Sequence, residues 1–310
     1  MNFKKVLKEN NLLIVSAIFA VIVLSIIFFP KKETNISVKP ITEKNIPDYQ
    51  LVLDSIEAKS FYVYDISENK SIFSKDEHLK LPLASITKLM TGFVAMEVMP
   101  DTTIITISKS DVALDADNGL QSGLFPGEKW KIKDLSDFSL MISSNGGMHA
   151  IASALNSYEA MNNKDTIKMM NEKAETLGLK DTVFINETGL DVDKNMSGAY
   201  SSAYDVSQLL KNIINNNPDL ILSTNKQNEN FVSESNVKHA ASNTNTSLNQ
   251  ISGMIASKTG FTDLAGGNLA IVFDAGLMHP VAIVVLGSTA DGRFSDVVKL
   301  AKITLEKLSE

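Results

Sequence analysis

Three short groups of residues in this chain could share one piece of chemistry. Ser85-Ile-Thr-Lys88 sets a hydroxyl and an amine three residues apart, which on a helix is one turn and within mutual reach. Ser143-Ser-Asn145 offers a hydroxyl and a carboxamide able to relay protons and hold a substrate amide. Lys258-Thr-Gly260 offers a second cation beside a glycine that lets a ligand backbone come close. Arg293, in Asp-Gly-Arg-Phe-Ser, is the one arginine against twenty-eight lysines. A composition that avoids arginine yet keeps one points to a use for the planar fork. The fork takes a carboxylate with two parallel hydrogen bonds, where lysine gives a point charge. Together the set describes serine acyl transfer on a substrate that ends in a free carboxylate.

Taken singly the patterns are common. Ser-x-x-Lys recurs at Ser67, Ser223 and Ser235, and Ser-x-Asn at Ser67, Ser223 and Ser247, while Lys-Thr-Gly occurs once. Context separates them, because only Ser85 opens an apolar helix, with Pro82 before it. A helix N-terminus presents free N–H groups and partial positive charge, which favour an alkoxide or a developing oxyanion. Lys88, packed near apolar side chains and other cations, is placed to have a depressed pKa and to take the Ser85 proton. Lys258 would raise the local potential, depress Lys88 further and attract an anionic substrate.

These residues need a framework. Lys59–Ile66 and Ser71–Ser74 form a hairpin signal around the turn Ser67-Glu-Asn-Lys70. A helix is expected from about Ala84 to Val98, closed by Pro100, and a mostly helical stretch from about Thr102 to Asn215. Residues 222–250 are rich in Asn and Ser and read as exposed loops and short strands. Two β-type runs follow, Gly267–Ala275 and His279–Gly287, then a helix from about Arg293 to Leu308 with Val298, Ala301, Leu305 and Leu308 at helical spacing. The expected fold class is α/β of the α+β kind. An antiparallel sheet flanked by helices is built from the N- and C-terminal parts, with a mostly helical lobe, about residues 100–215, inserted between them. Ser85, Ser143 and Lys258 would meet in the cleft between sheet and lobe.

The first thirty residues differ in kind. Leu12–Phe29 is an apolar run of eighteen residues broken only by Ser16 and Ser25, with Lys4, Lys5 and Lys8 before it and Lys31 and Lys32 after it. As a helix it spans about 27 Å, close to the hydrocarbon thickness of a bilayer. It ends in Ile-Ile-Phe-Phe-Pro without a small-x-small cleavage site, so a retained anchor is expected over residues 1–30. A linker over 31–50 with Pro40 and Pro47 follows, then a catalytic body over 51–310. The net charge of −7 and the lack of a Lys-rich run interleaved with aromatics argue against nucleic acid as a partner. The absence of cysteine removes disulfides and thiolate chemistry. His78, His149, His239 and His279 have no ligand spacing, so neither a metal nor another cofactor is expected.

Ser-x-x-Lys with a Ser-x-Asn element and Lys-Thr-Gly marks β-lactamases and penicillin-binding proteins. Beyond these motifs the chain resembles the serine-type D-alanyl-D-alanine carboxypeptidases, the low-molecular-mass penicillin-binding proteins. The resemblance lies in Leu83-Ala-Ser-Ile-Thr-Lys-Leu-Met-Thr91, Met170-Asn-Glu-Lys-Ala-Glu-Thr-Leu-Gly178, Tyr200-Ser-Ser-Ala-Tyr-Asp205, Asn243-Thr-Asn-Thr-Ser-Leu248 and Lys258-Thr-Gly-Phe-Thr-Asp-Leu-Ala-Gly266, and runs from about residue 52 onward. It implies a nucleophilic Ser85, Lys88 as general base, and a network completed by Ser143, Asn145 and Lys258. It also implies an oxyanion hole from the backbone N–H groups of Ser85 and Phe261, and Thr259 and Arg293 receiving the substrate's terminal carboxylate. Lys258, Thr259, Gly260, Phe261 and Arg293 would then line the substrate site. The implied partners are peptidoglycan stem peptides, with β-lactams as covalent inhibitors, and the implied location is outside the cytoplasmic membrane.

Two features depart from the family's pattern. Its middle motif commonly reads Ser-Gly-Asn followed by Asp-Ala, where this chain has Ser144 and then Gly146-Gly147. Many relatives carry a further C-terminal β domain and a terminal amphipathic anchor, a role that here would fall to the N-terminal segment. A β-lactamase of the same fold would want a carboxylate base for deacylation, for which Glu187 is the candidate. A catalytically silent protein that binds cell-wall peptides is the other alternative.

Overall fold

The computed structural model describes residues 49–162 and 164–310. The expected anchor at residues 1–30 lies outside the described residues, as does the expected linker up to residue 48. Among the described residues no helix is long and apolar enough to cross a membrane.

A five-stranded antiparallel sheet is assembled from both ends of the described chain, in the order β10-β11-β12-β1-β2. Its strands are β1 (Ser60–Asp65), β2 (Lys70–Lys75), β10 (Met254–Thr262), β11 (Gly266–Asp274) and β12 (Pro280–Ser288). The junction between the two halves is β1 against β12, with Tyr62 opposite Val284 and Val63 opposite Ile283. Successive side chains of a strand point to opposite faces, and both faces here are apolar. Val281, Ile283 and Val285 of β12 pack with Val297, Leu300 and Ile303 of the last helix, α8 (Gly292–Leu308). Ala282, Val284 and Leu286 belong to the larger core on the opposite face. Double burial explains why β11 and β12 read as continuous apolar runs rather than alternating ones. The first helix, α1 (Tyr49–Asp54), packs its Val52 and Leu53 on the α8 side. The edge strand β2 is largely exposed and begins and ends with lysine, which blunts pairing with other chains. The other edge is β10.

The helices between the strands build the second layer. They are α2 (Lys88–Val98), α3 (Lys109–Asp117), α4 (Ile132–Ile142), α5 (Asn145–Glu159), α6 (Thr166–Thr176) and α7 (Ala203–Asn216). α2 buries Lys88 through Ala95 without a break, as a helix surrounded by others must. α7 lies against the sheet, with the Tyr204 ring 5.4 Å from that of Tyr62. Short strands trim this layer: β3 (Leu81–Pro82) with β7 (Ala199–Ser201) and β6 (Val183–Phe184), β4 (Ile104–Thr106) with β5 (Lys129–Lys131), and the hairpin β8 (Asn228–Val232) and β9 (Lys238–Ser242).

Three local expectations need correction. The helix read from Ala84 begins as a 3-10 turn, Ala84–Thr87, and becomes α-helical at Lys88. The two expected β-type runs are preceded by a third strand, β10, and Lys258-Thr-Gly260 lies inside it. The Asn- and Ser-rich segment is not uniformly exposed: Asn243, Asn245 and Ser247 are buried. There the Asn243 carboxamide oxygen accepts from Asn245 N, and that of Asn245 accepts from Ser247 N. Polar side chains thus satisfy the local backbone and let it go inside.

Candidate active site

Ser85 stands on a constrained turn. Ala84, just before it, has φ 49°, a left-handed conformation that costs a residue with a Cβ. The surroundings hold it there. Asn268 of β11, fully buried, donates through Nδ2 to the carbonyls of Pro82 and Leu83, and Leu83 N donates to Ala199 O. Two glycines press on the turn. A Cβ on Gly189 (φ 78°) would lie 1.9 Å from Ala84 O, and one on Gly260 would lie 2.7 Å from Leu83 O. Gly260 therefore lets β10 approach the Ser85 turn, a close contact within the protein itself.

In a 3-10 turn, residues i and i+3 eclipse one another, so Lys88 points back at Ser85. Lys88 Nζ lies 2.6 Å from Ser85 Oγ, and it donates to Asn145 Oδ1 at 2.7 Å and to Thr188 O at 3.0 Å. A neutral amine has two N–H groups and one lone pair. Asn145 and Thr188 account for the two N–H groups, which leaves the lone pair for the Ser85 hydroxyl. Burial favours that neutral form: it lowers the Lys88 pKa from 10.5 to about 7, with the charges of Asp115 and Glu187 pulling the other way.

Asn145 opens α5. The preceding helix α4 ends at Ser143, whose φ of 63° turns the chain, and Ser144 caps α5 by accepting from Gly147 N at 2.8 Å. The departure from the family's middle motif thus leaves the hydroxyl of Ser143 and the amide of Asn145 in place. Ser143 Oγ accepts from Lys258 Nζ at 2.8 Å, and Lys258 also donates to Thr259 O at 2.9 Å. Burial, then the charges of Lys88 and Arg293, hold the Lys258 pKa well below its ordinary value. Thr259 Oγ1 is 2.6 Å from Thr244 Oγ1.

Arg293 lies in the first turn of α8 and reaches the same strand, Nη1 donating to Gly260 O at 2.7 Å. Its guanidinium is flanked by the rings of Phe294 at 4.7 Å and Phe261 at 5.8 Å, and its Nε is buried with no partner among the described residues. Phe261 is half exposed at the end of β10. Among the described residues Lys88, Lys258 and Arg293 form no ion pair with a carboxylate. Arg293, a guanidinium close to this edge strand with no carboxylate partner among the described residues, is suited to an anion.

The fold therefore brings the residues of the three motifs and Arg293 together. Ser85, Lys88 and Asn145 form one hydrogen-bonded group, Ser143 and Lys258 a second, and Arg293 joins through the Gly260 carbonyl. The supporting contacts were not foreseen: Thr188 and Gly189 in the loop before β7, Asn268, Thr244, and Asp115 beneath α5. Asn268 left a trace, a carboxamide inside an otherwise apolar strand. Glu187 fixes the loop through its backbone, its carbonyl accepting from Thr91 Oγ1 at 2.6 Å. Among the described residues no hydrogen bond joins its carboxylate to Ser85 or Lys88. Among the described residues none of the four histidines hydrogen-bonds to this cluster, and each lies against its own carboxylate: Asp181, Asp111, Glu128 and Asp65. An open cleft of 590 Å³ that includes residues of α4 and β8 holds none of the site residues. Its lysines are neutralised locally, Lys133 by Asp137 and Lys226 by Glu229.

Residues 46–290 match the family model described as D-alanyl-D-alanine carboxypeptidase. The D-alanyl-D-alanine carboxypeptidase DacF of Bacillus subtilis is 31% identical over 247 residues, 79% of this chain and 61% of that protein. The D-alanyl-D-alanine endopeptidase of Escherichia coli is 31% identical over 237 residues, 74% of this chain and 71% of that protein. Among solved structures, penicillin-binding protein D2 of Listeria monocytogenes in its ampicillin-bound form superimposes with a TM-score of 0.67 at 26% identity, covering 80% of this chain and 97% of that one. The match spans less than two thirds of the length of the Bacillus relative.

Proposed function

Since the chain belongs to the D-alanyl-D-alanine carboxypeptidase family, we propose that it removes the terminal D-alanine of peptidoglycan stem peptides through an acyl-enzyme on Ser85. The observation that carries this reading is a buried Lys88 whose Nζ lies 2.6 Å from Ser85 Oγ and whose other neighbours are both acceptors. In its neutral form Lys88 takes the Ser85 proton as Oγ bonds to the carbonyl carbon of the penultimate residue. The proton then passes to the departing D-alanine nitrogen as the peptide bond breaks. Water attacks the ester, gives its proton back through the same lysine, and frees Ser85. The backbone N–H groups of Ser85 and Phe261 are assigned to the developing oxyanion, a role worth about 3–4 kcal/mol per donor.

The terminal carboxylate is assigned to Thr259 and Arg293. Arg293 supports this, because its guanidinium pairs with no carboxylate among the described residues and is held at β10 by one N–H, Nη1 to Gly260 O. β-Lactams would acylate Ser85 by the same attack on a carbonyl. The apolar run Leu12–Phe29 supports a further part of the proposal: the body is held at the outer face of the cytoplasmic membrane by that segment. Fractionation of cells producing the chain with and without residues 1–30 tests it, with loss from the membrane fraction expected on deletion.

The reaction is tested by release of D-alanine from a peptide ending in Lys-D-Ala-D-Ala, with Ser85→Ala beside the unaltered protein. Release by the unaltered protein alone is expected. Release by both would remove Ser85 from the mechanism, and release by neither would remove the carboxypeptidase reading.

A further inference from the structure

Asp115 lies on α3, a helix that carries none of the residues assigned above. It is buried, and three donors converge on its two oxygens. Asn145 N and Gly146 N donate to Oδ1 at 2.7 and 2.9 Å, and Ser144 Oγ donates to Oδ2 at 2.6 Å. Ser144 Oγ in turn accepts from Gly147 N. Asp115 and Ser144 thus take three of the N–H groups that the first turn of α5 leaves unpaired, at the end where partial positive charge favours a carboxylate. A helix is ordinarily capped by its own preceding residue. Here the capping residue is itself held by a carboxylate from a neighbouring helix, and the two helices dock at glycine distance: a Cβ on Gly146 would lie 2.1 Å from Asp111 O.

That carboxylate sits one residue from the reacting pair. The backbone N–H of Asn145 is bound by Asp115, and the side chain of the same residue accepts from Lys88. The charged groups around Lys88 come from three elements. Asp115 of α3 and Glu187 of the loop before β7 favour its cation, and the buried Lys258 amine of β10 feels the Lys88 charge in turn. Ser85, Asn145 and Thr188 meet it with neutral groups.

We propose that Asp115 is a positioning residue for the Ser85–Lys88 pair. It fixes Asn145 through the first turn of α5, and its charge steadies the ammonium that Lys88 becomes on taking the Ser85 proton. The inference rests on the base role proposed for Lys88. Without Asp115 the buried amine would stay neutral to lower pH but would be a poorer acceptor for the serine proton. Burial supplies the neutral form, and Asp115 limits how far that goes.

The test compares the full chain with Asp115→Asn and Asp115→Ser, both of which remove the charge and keep an acceptor oxygen, and with Asp115→Glu, which keeps the charge. Thermal melting identifies the folded variants. Acylation by a fluorescent penicillin is followed from about pH 5 to 10, and the Lys88 titration is read separately by carbon NMR of labelled lysine, assigned with Lys88→Met. The neutral variants are expected to be slower at the alkaline plateau, with the acid limb moved to lower pH and the Lys88 titration moved with it. Asp115→Glu is expected to keep the original limb even where its plateau falls. A limb and a Lys88 titration unmoved in both neutral variants would overturn the proposal and leave Asp115 as a helix cap alone. Should the unaltered protein fail to be acylated, the base role fails by that result, and the NMR titration still decides whether Asp115 governs Lys88.

Discussion

Gly189 and Ala84 are in contact through a space that admits no side chain: a Cβ on Gly189 would lie 1.9 Å from the Ala84 carbonyl oxygen. The loop that supplies Thr188 O to Lys88 is thereby seated directly on the strained turn that presents Ser85. Nucleophile, base and loop form one packed unit, so a change at its rim should be felt at its centre.

Gly189→Ala tests that coupling. The substitution meets both a clash and a left-handed φ, and is expected to cost about 2–4 kcal/mol. A displacement of the Ser85 turn by about 1 Å would slow acylation by about a hundredfold. Thermal melting and penicillin acylation rates check the two effects. A normal rate in a destabilised variant would separate the loop from the chemistry.

The Lys88 pKa makes stability depend on pH. Between about 7 and 10.5 the unfolded chain holds a proton that the folded chain lacks. Folding stability from this residue therefore rises with pH across that window, and below it the burial penalty is present in full. Lys88→Met, which keeps the volume and removes the charge, is expected to lose this slope and to be more stable at neutral pH by on the order of a few kcal/mol. Denaturant titrations at several pH values measure it.

Asn145→Asp places a carboxylate where Lys88 now meets a carboxamide at 2.7 Å. An adjacent opposite charge favours the ammonium by about 1–3 units. The acid limb of the acylation profile is expected to move to higher pH by that amount, the direction opposite to that expected on neutralising Asp115. A loss of rate without movement of the limb would mean that the lysine is not the titrating base.

Arg293→Ala removes the fork from the carboxylate end of the site. KM for a peptide ending in a free carboxylate is expected to rise about 10- to 100-fold, with little change for the corresponding amide. Arg293→Lys restores charge but not the paired donors and is expected to recover only part of the difference. Steady-state kinetics with both peptides decide.

Reading the sequence went furthest where the physics is local. Ser85 and Lys88 are three residues apart, so their meeting follows from one turn of helix. The β-type runs of β11 and β12 and the helical spacing of α8 identify the sheet and its cover. Asn145 and Lys258 were found by motif, and their positions follow from packing that no local rule describes. Asp115 and Asn268 were not legible, because they act across 30 and 185 residues of chain respectively. The buried turn at Asn243–Ser247 was misread for a related reason: its polar side chains bond to their own backbone, which composition alone presents as a preference for water.

Mass spectrometry of the full chain after exposure to a penicillin tests most directly that Ser85 is the nucleophile. Attack on the ring carbonyl opens the ring without loss of atoms, so the protein should gain the whole mass of the antibiotic. Peptide mapping should place the gain on Ser85, and Ser85→Ala should gain nothing. An adduct on another residue, or one that persists in Ser85→Ala, would contradict the assignment of Ser85 and Lys88 as the reacting pair.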